Sequence, residues 1–255
     1  MLKGVIGGLI VFAALAAAAF APQIHLGMMR FGQDVQAFSQ QMEMTLPGYD
    51  VYALQLAVFD NGERAAAQMQ HLHSQGIRCV IVQGERMRLI ADVALSRQAL
   101  QSRAAKGHEA YVLRDTLQAI PLRLSADSMG IARAKRLLET PDALLHAIVK
   151  KPESSLRDIV NQAVRIADES LGTNTENMLY TQLAQSLNNW SVLMQKTLEE
   201  ADETDARSYG AATMYLLCRQ LRQALNASNT ASAQRTPSTA ADVIPPAYPA
   251  PSPQG

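Results

Sequence analysis

The sequence predicts an α+β protein with an N-terminal transmembrane helix, a ferredoxin-like βαββαβ domain and a C-terminal α-helical bundle. Residues 4–21 form an uninterrupted apolar run. Residues 49–125 alternate short apolar segments with Ala-rich helical segments, and residues 126–226 show helical periodicity only. At roughly 100–200 residues per domain, a chain of this length holds one or two domains.

The N-terminal run, GVIGGLIVFAALAAAAFA at residues 4–21, carries no charge. About 18 or more apolar residues can cross a bilayer as a helix, because a helix satisfies its own backbone groups. Lys3 precedes the run, so the positive-inside tendency predicts a single-pass anchor with a cytoplasmic N-terminus and an extracytoplasmic remainder. The alternative is a cleaved signal peptide, since Ala-Phe-Ala at 19–21 resembles a cleavage site, although Pro22 follows it directly.

Residues 22–48 are predicted to form a stalk. Within them, MMRFGQDVQAFSQQMEM can form a short amphipathic helix, because its apolar residues recur at helical spacing. These residues are Met28, Phe31, Val35, Phe38 and Met42. Leu-Pro-Gly at 46–48 then interrupts the segment.

The central segment, residues 49–125, is predicted to fold in the order β-α-β-β-α-β, the split βαβ arrangement. Segments with the composition of strands are 52–59, 77–82, 86–90 and 109–113. The first helix between them has an N-cap candidate near Asn61 and ends at Gly76, and Ser96 can cap the second. Residues 119–125 are expected to add an edge strand, because a proline is tolerated in a sheet only at an edge or a bulge.

Residues 126–226 are predicted to pack as a small bundle, since each helix has one apolar face to bury. Thr140-Pro141 has the composition of a helix start, and longer helices are predicted over 176–200 and 205–225. The tail, residues 227–255, is rich in Ser, Thr, Ala and Pro. It is predicted to be disordered, because it has too little apolar surface to offset the entropy of ordering.

Three stretches of the central segment carry a family resemblance. They are the strand Leu54-Gln55-Leu56-Ala57-Val58-Phe59, the helix GERAAAQMQHLHSQG with a strand directly after its glycine, and Arg86-Met87-Arg88-Leu89. Together they resemble the SPOR domain, a small peptidoglycan-binding module of bacterial cell-division and sporulation proteins. Ala57 stands where that family has glycine, and Ile-Ala-Asp-Val at 90–93 stands where Gly-Pro-Phe is usual.

The resemblance implies binding without chemistry, because SPOR domains hold glycan strands without stem peptides on the exposed face of the sheet. It also implies that Gln55 and Arg86 contact the glycan. Strand alternation adds Arg88, which shares a face with Arg86 in an extended strand. Amide and guanidinium donors suit sugar hydroxyls, acetamido oxygens and carboxylates. The alternative is that these residues form a solvated sheet face with no ligand.

Other function classes find little support in the sequence. Lys plus Arg and Asp plus Glu both number 23, so no net charge favours nucleic acid. No catalytic motif is present, and no cofactor or metal is predicted. His71 and His73 lie on different sides of a helix, and the acidic cluster at 199–205 is predicted to be a solvated turn. Cys79 and Cys218 are predicted to be buried free thiols.

The sequence therefore predicts a non-enzymatic, membrane-anchored envelope protein of bacteria that binds peptidoglycan glycan strands in cell division or sporulation. The alternative is a non-catalytic membrane scaffold whose helical segment contacts an envelope protein or a second copy. The Leu and Met stripes of this segment are predicted to be core, and the alternative is a partner surface around Trp190 and Tyr209. The absence of Gly-Pro-Phe favours the scaffold, whereas Gln55 and Arg86 favour glycan binding.

Overall fold

The computed structural model describes residues 40–104, 110–126, 128–150, 154–171 and 178–234. The strands in this part of the chain are β1 (Gln40–Leu46), β2 (Tyr49–Phe59), β3 (Val80–Gln83), β4 (Met87–Ala94), β5 (Tyr111–Leu117) and β6 (Ile120–Ala126). Its helices are α1 (Gly62–Ser74), α2 (Arg97–Ala104), α3 (Ser128–Lys150), α4 (Leu156–Leu171), α5 (Met178–Glu200) and α6 (Glu203–Gln234).

The main sheet has four antiparallel strands in the order β3-β4-β2-β5. Helix α1 connects β2 to β3 and α2 connects β4 to β5, so the predicted order β-α-β-β-α-β is confirmed. Both helices pack on the same face of the sheet. Met69 of α1 packs with Leu89, and Leu100 of α2 packs with Leu54.

Local residue chemistry sets the ends of α1 and the start of α2. The Asn61 side chain accepts a hydrogen bond from the Glu63 amide at 2.7 Å, as an N-cap residue does. Gly76 follows α1 with φ of +83°, a conformation that costs other residues free energy. Ser96 Oγ accepts a hydrogen bond from the Ala99 amide at 3.4 Å, so the predicted caps are confirmed.

Strand β1 lies within the predicted stalk and pairs with β6, from Gln40 opposite Ala126 to Leu46 opposite Ile120. Its apolar residues alternate with period two, because Met42, Met44 and Leu46 face the core and the residues between them face solvent. The helix predicted over residues 28–44 is therefore wrong over residues 40–44, which form a strand. Residues 22–39 lie outside the described residues.

Helix α6 covers the second face of the main sheet and is buried on nearly all sides between residues 206 and 222. One apolar core joins sheet residues such as Ala53 and Ile90 to the helices. This core contains residues from both sides of the predicted boundary at residue 126. Trp190 and Tyr209 belong to this core, at 1% and 6% exposure, so the prediction that the apolar stripes are core is confirmed there and the alternative of a partner surface around these two residues is wrong.

A buried ion pair ties α3 and α6 to the turns between strands. Arg222 donates to both carboxylate oxygens of Asp142, at 2.9 and 2.8 Å. It also donates to the backbone carbonyls of Pro47 at 2.9 Å and Gln118 at 3.0 Å. The Tyr49 hydroxyl donates to Asp142 Oδ1 at 2.8 Å. A single guanidinium thus connects two helices and both turns next to β2 and β5.

Two helix boundaries differ from the prediction. Helix α3 continues through Pro141, because Thr140 Oγ1 donates to the Arg136 carbonyl at 2.7 Å instead of capping a new helix. Helix α6 extends beyond residue 226 into the predicted tail, where Asn229 Nδ2 donates to the Pro121 carbonyl at 3.1 Å. Residues 235–255 lie outside the described residues.

The predicted fold class is wrong in its N-terminal transmembrane helix. None of the helices that the structure describes is long and apolar enough to cross a membrane. The longest, α6, has 32 residues but carries Arg207, Arg219 and Arg222, which a bilayer core disfavours. Residues 4–21 lie outside the described residues. The fold that the structure supports is a mixed α+β fold.

Candidate functional site

Helix α6 covers only part of the sheet face on which it packs, called here the α6 face. Ser208 of α6 donates to Asp92 of β4 at 3.2 Å. Farther along α6, Tyr215 and Arg219 bind Asp115 near the end of β5. The start of β5 lies beyond these contacts, and Tyr111 there is 67% exposed. Among the residues that the structure describes, α6 therefore leaves one end of this face uncovered.

The structure brings together two of the three predicted site residues at this open end. Arg88 of β4 lies opposite Val58 of β2, and Gln55 of β2 lies opposite Ile90 of β4. Arg88 Nη1 donates to Gln55 Oε1 at 3.0 Å. Both side chains are half-buried. Because Ile90 belongs to the core under α6, Gln55 and Arg88 lie directly beside the covered part of the face.

Arg86, the third predicted residue, has a different partner. It precedes β4, in the turn after β3, and its Nε and Nη2 donate to the two carboxylate oxygens of Asp60 at 2.6 and 3.3 Å. Both side chains are exposed, Arg86 at 52% and Asp60 at 79%. No hydrogen bond joins Arg86 to Gln55 or Arg88 among the described residues. Arg86 thus has its own partner beside the strand end, and its predicted contact with a glycan stays a prediction.

Tyr111 is a candidate site residue that the sequence analysis missed. It lies directly opposite Gln55 on the neighbouring strand β5, so the two side chains share a face. The sequence placed this tyrosine in a predicted strand, but only the register of β5 on β2 places it beside Gln55. We call the surface formed by Tyr111, Gln55, Arg88 and Val58 the open strip.

The open strip combines hydrogen-bond donors with an aromatic ring across three strands. Neighbouring strands lie about 4.8 Å apart, so the strip is about 10 Å wide. Apart from the bond to Gln55, the N–H groups of Arg88 have no acceptor within the described part of the chain. Such a surface can bind an extended ligand with acceptor groups and an apolar ring face. The strip itself contains no carboxylate, imidazole or thiol that could act as acid, base or nucleophile.

The histidine and cysteine residues of the α1 region have structural partners. His73 Nε2 lies 3.0 Å from the carbonyl oxygen and 3.2 Å from the amide nitrogen of Cys79, and burial lowers the pKa of His73. Cys79 and Cys218 are buried free thiols, as predicted. Burial raises the pKa of Cys79 to about 12 and that of Cys218 well above its ordinary value. A thiol with so high a pKa is a poor nucleophile.

The acidic cluster between α5 and α6 serves helix ends. Asp202 Oδ1 accepts from the Asp205 amide at 2.9 Å and so caps α6. Glu203 accepts from the Leu156 amide at 3.3 Å and from Arg207 at 3.0 Å. The first of these bonds and then the second lower the pKa of Glu203. Within the described ranges, no group of three His, Cys, Asp or Glu residues is arranged to hold a metal ion.

Comparisons of the chain with protein-family models, with curated proteins and with solved structures found no match. The resemblance to the SPOR domain therefore remains a prediction that rests on the residues quoted for it. The open strip is the feature of the described structure that bears on function.

Proposed function

We propose that this protein is a non-enzymatic binding protein that recognises peptidoglycan glycan strands through the open strip. The observation that carries the proposal is the hydrogen bond between Arg88 and Gln55 on the α6 face, with the exposed ring of Tyr111 beside it. The resemblance of this segment to the SPOR domain supports the same ligand and assigns it to cell division or sporulation.

The ligand class follows from the groups on the strip. A guanidinium donates strongly to carboxylates, and both it and an amide donate to acetamido and hydroxyl oxygens. These acceptors recur along a peptidoglycan glycan strand. A pyranose ring also has an apolar face that can stack on an aromatic ring such as that of Tyr111. Because α6 limits the strip on one side, the glycan is expected to contact Tyr111, Gln55 and Arg88 and not the whole sheet.

The test is co-sedimentation of the full chain with bacterial sacculi, before and after amidase treatment removes stem peptides. The full chain is required because a fragment ending at residue 126 would expose the apolar surface that α6 covers. Pelleting is expected to increase after amidase treatment and to fall about tenfold in Gln55→Ala and Arg88→Ala. Arg86→Ala is expected to have a smaller effect, because Arg86 pairs with Asp60.

Arg114→Ala is the matched control. Arg114 is an exposed arginine on β5 that pairs with Asp50 at 2.5 Å. It lies opposite Tyr52, on the face that packs with α2, and so on the reverse side of the sheet from the open strip. If the folded chain remains in the supernatant with every preparation, or if Arg114→Ala reduces pelleting as much as Arg88→Ala, the proposal is wrong.

A peptidoglycan ligand also requires that the open strip lie outside the cytoplasmic membrane. We infer this location from the ligand and not from the fold. Protease added to intact spheroplasts should therefore cleave the chain within the described residues. Protection from protease in spheroplasts, with cleavage after lysis, would contradict the glycan ligand as well.

The second candidate function is a scaffold that acts through protein contacts of the helices. Its support is the exposure of large apolar residues on helix surfaces, with Met129 at 61% and Val192 at 58%. A scaffold that pairs with itself would show a molar mass in light scattering that rises with concentration. A monomer at all concentrations that also binds sacculi would favour glycan binding alone.

A further inference from the structure

A groove of about 310 Å³ lies between α3 and α4, on a different part of the molecule from the open strip. Its lining consists of Arg133, Arg136, Leu137, Ile166, Glu169 and Ser170. The floor is apolar, because Leu137 and Ile166 belong to the core, at 3% and 5% exposure. The charged side chains form the rim.

The rim of the groove carries exposed apolar side chains and, among the described residues, one arginine without a carboxylate partner. Met129 lies one turn before Arg133 on α3 and is 61% exposed, and Leu171 at the end of α4 is 39% exposed. Arg136 is neutralised by Glu169 at 2.8 Å. Arg133 donates to the Met129 sulfur at 3.2 Å and has no carboxylate partner within the described ranges. The groove therefore fits an apolar segment that carries an acidic residue.

The start of β1 determines which part of the chain is nearest to this groove. Gln40 pairs with Ala126, which lies just before the first residue of α3, Ser128. Paired Cα atoms in an antiparallel ladder are about 5 Å apart, so the chain before β1 leaves the ribbon beside the first turn of α3. A twelve-residue helix is about 18 Å long, whereas Ser128 and Leu137 are about 14 Å apart along the helix axis.

The residues immediately before β1 have the composition that the groove requires. Met28, Phe31, Val35 and Phe38 recur at helical spacing, and Asp34 lies at the border of this apolar stripe. We propose that residues 28–39 dock as an amphipathic helix in the groove between α3 and α4. The apolar stripe covers Leu137, Ile166 and the exposed Met129 and Leu171, and Asp34 pairs with Arg133.

Hydrogen exchange of the full chain tests this docking. Amides of residues 28–39 are expected to be protected, and their exchange is expected to become at least tenfold faster in Arg133→Asp. Asp34→Arg in the same chain should restore protection, because it restores an ion pair with opposite polarity. Arg123→Asp is the matched control, since Arg123 is an exposed arginine that pairs with Glu43 on the ribbon of β1 and β6.

A cysteine pair identifies the occupant of the groove. Asp34→Cys with Arg133→Cys should form a disulfide within one chain on mild oxidation, detected as a cross-linked peptide. The native thiols do not compete, because both are buried. Disulfides between two chains would overturn the proposal in favour of a second copy. Unprotected amides at 28–39, or protection that Arg133→Asp leaves unchanged, would overturn it altogether.

Discussion

Replacement of Arg222 by methionine tests whether the buried ion pair holds the sheet and helices together as one unit. Methionine keeps the volume and the unbranched shape of the side chain but removes its charge and its donors. Asp142 would then keep the Tyr49 hydroxyl as a donor but lose both guanidinium N–H groups, and the carbonyls of Pro47 and Gln118 would lose Arg222. The exposed fraction of the side chains is 5% for Arg222 and 12% for Asp142, so water replaces these bonds poorly.

The expected cost follows from this burial. Removal of one partner of a buried ion pair costs about 3–5 kcal/mol, because the other charge is left uncompensated. The free energy of unfolding of a whole domain is only about 5–15 kcal/mol. In a protein of this size, Tm falls by about 2–4 °C for each kcal/mol of stability lost, so the expected decrease in Tm is about 6–20 °C.

The assay is urea unfolding of the wild type, Arg222→Met, Asp142→Leu and the double variant, with the m-value compared in each. The double variant should be more stable than either single variant, because no buried charge remains. It should still be about 1–3 kcal/mol less stable than the wild type if one carbonyl stays without a donor. The exposed pair of Arg123 with Glu43 is the control, and Arg123→Met should cost about 0–1 kcal/mol. A loss of under about 1 kcal/mol in Arg222→Met would refute the reasoning.

Other predictions concern a histidine and two glycines. Burial and then the charge of Lys150 lower the pKa of His146 in the folded state. The contribution of His146 to the free energy of unfolding is therefore fully present above about pH 6.5, the pKa in the unfolded chain, and is lost as the pH falls through the pKa in the folded protein. Denaturant titrations at several pH values should show a smaller loss of stability with falling pH in His146→Leu. Gly48→Ala places a Cβ 2.7 Å from the Ala119 backbone nitrogen and should cost about 1–3 kcal/mol in thermal unfolding. Gly210→Ala brings a Cβ to 3.1 Å from the methyl end of Met194, a flexible side chain, and its other neighbours lie at 3.5 Å or more. The gain in helix propensity should therefore make this variant neutral or stabilising by up to about 1 kcal/mol; equal Tm losses in both variants would contradict this.

Much of the secondary structure of the main sheet and its two helices could be predicted because the signals are local. Asn61, Gly76 and Ser96 act within a few residues of their own positions, through a cap or a backbone conformation. The period of the apolar residues separates strands from helices in the same way. By contrast, β1 was missed because its partner β6 lies about 80 residues away in sequence, as Glu43 and Arg123 show.

The candidate site could be predicted only in part. The family resemblance indicated Gln55 and strand alternation added Arg88, and the structure joins the two through a hydrogen bond. The sequence did not indicate that Arg86, in the turn after β3, pairs with Asp60. Tyr111 could not be placed, because register depends on pairing across the sheet and a shift of one residue would turn its side chain to the other face.

The sequence by itself determined the order of the elements, the caps of the first two helices and the polar residues of β2 and β4, since each depends on neighbours in the chain. The tertiary structure alone decided that α6 covers most of one sheet face and that Tyr111 completes an open strip with Gln55 and Arg88. An apolar stripe indicates that one face of a helix is buried, but it does not indicate which other element packs against that face. That choice depends on contacts between distant parts of the chain, such as the pair of Asp142 and Arg222.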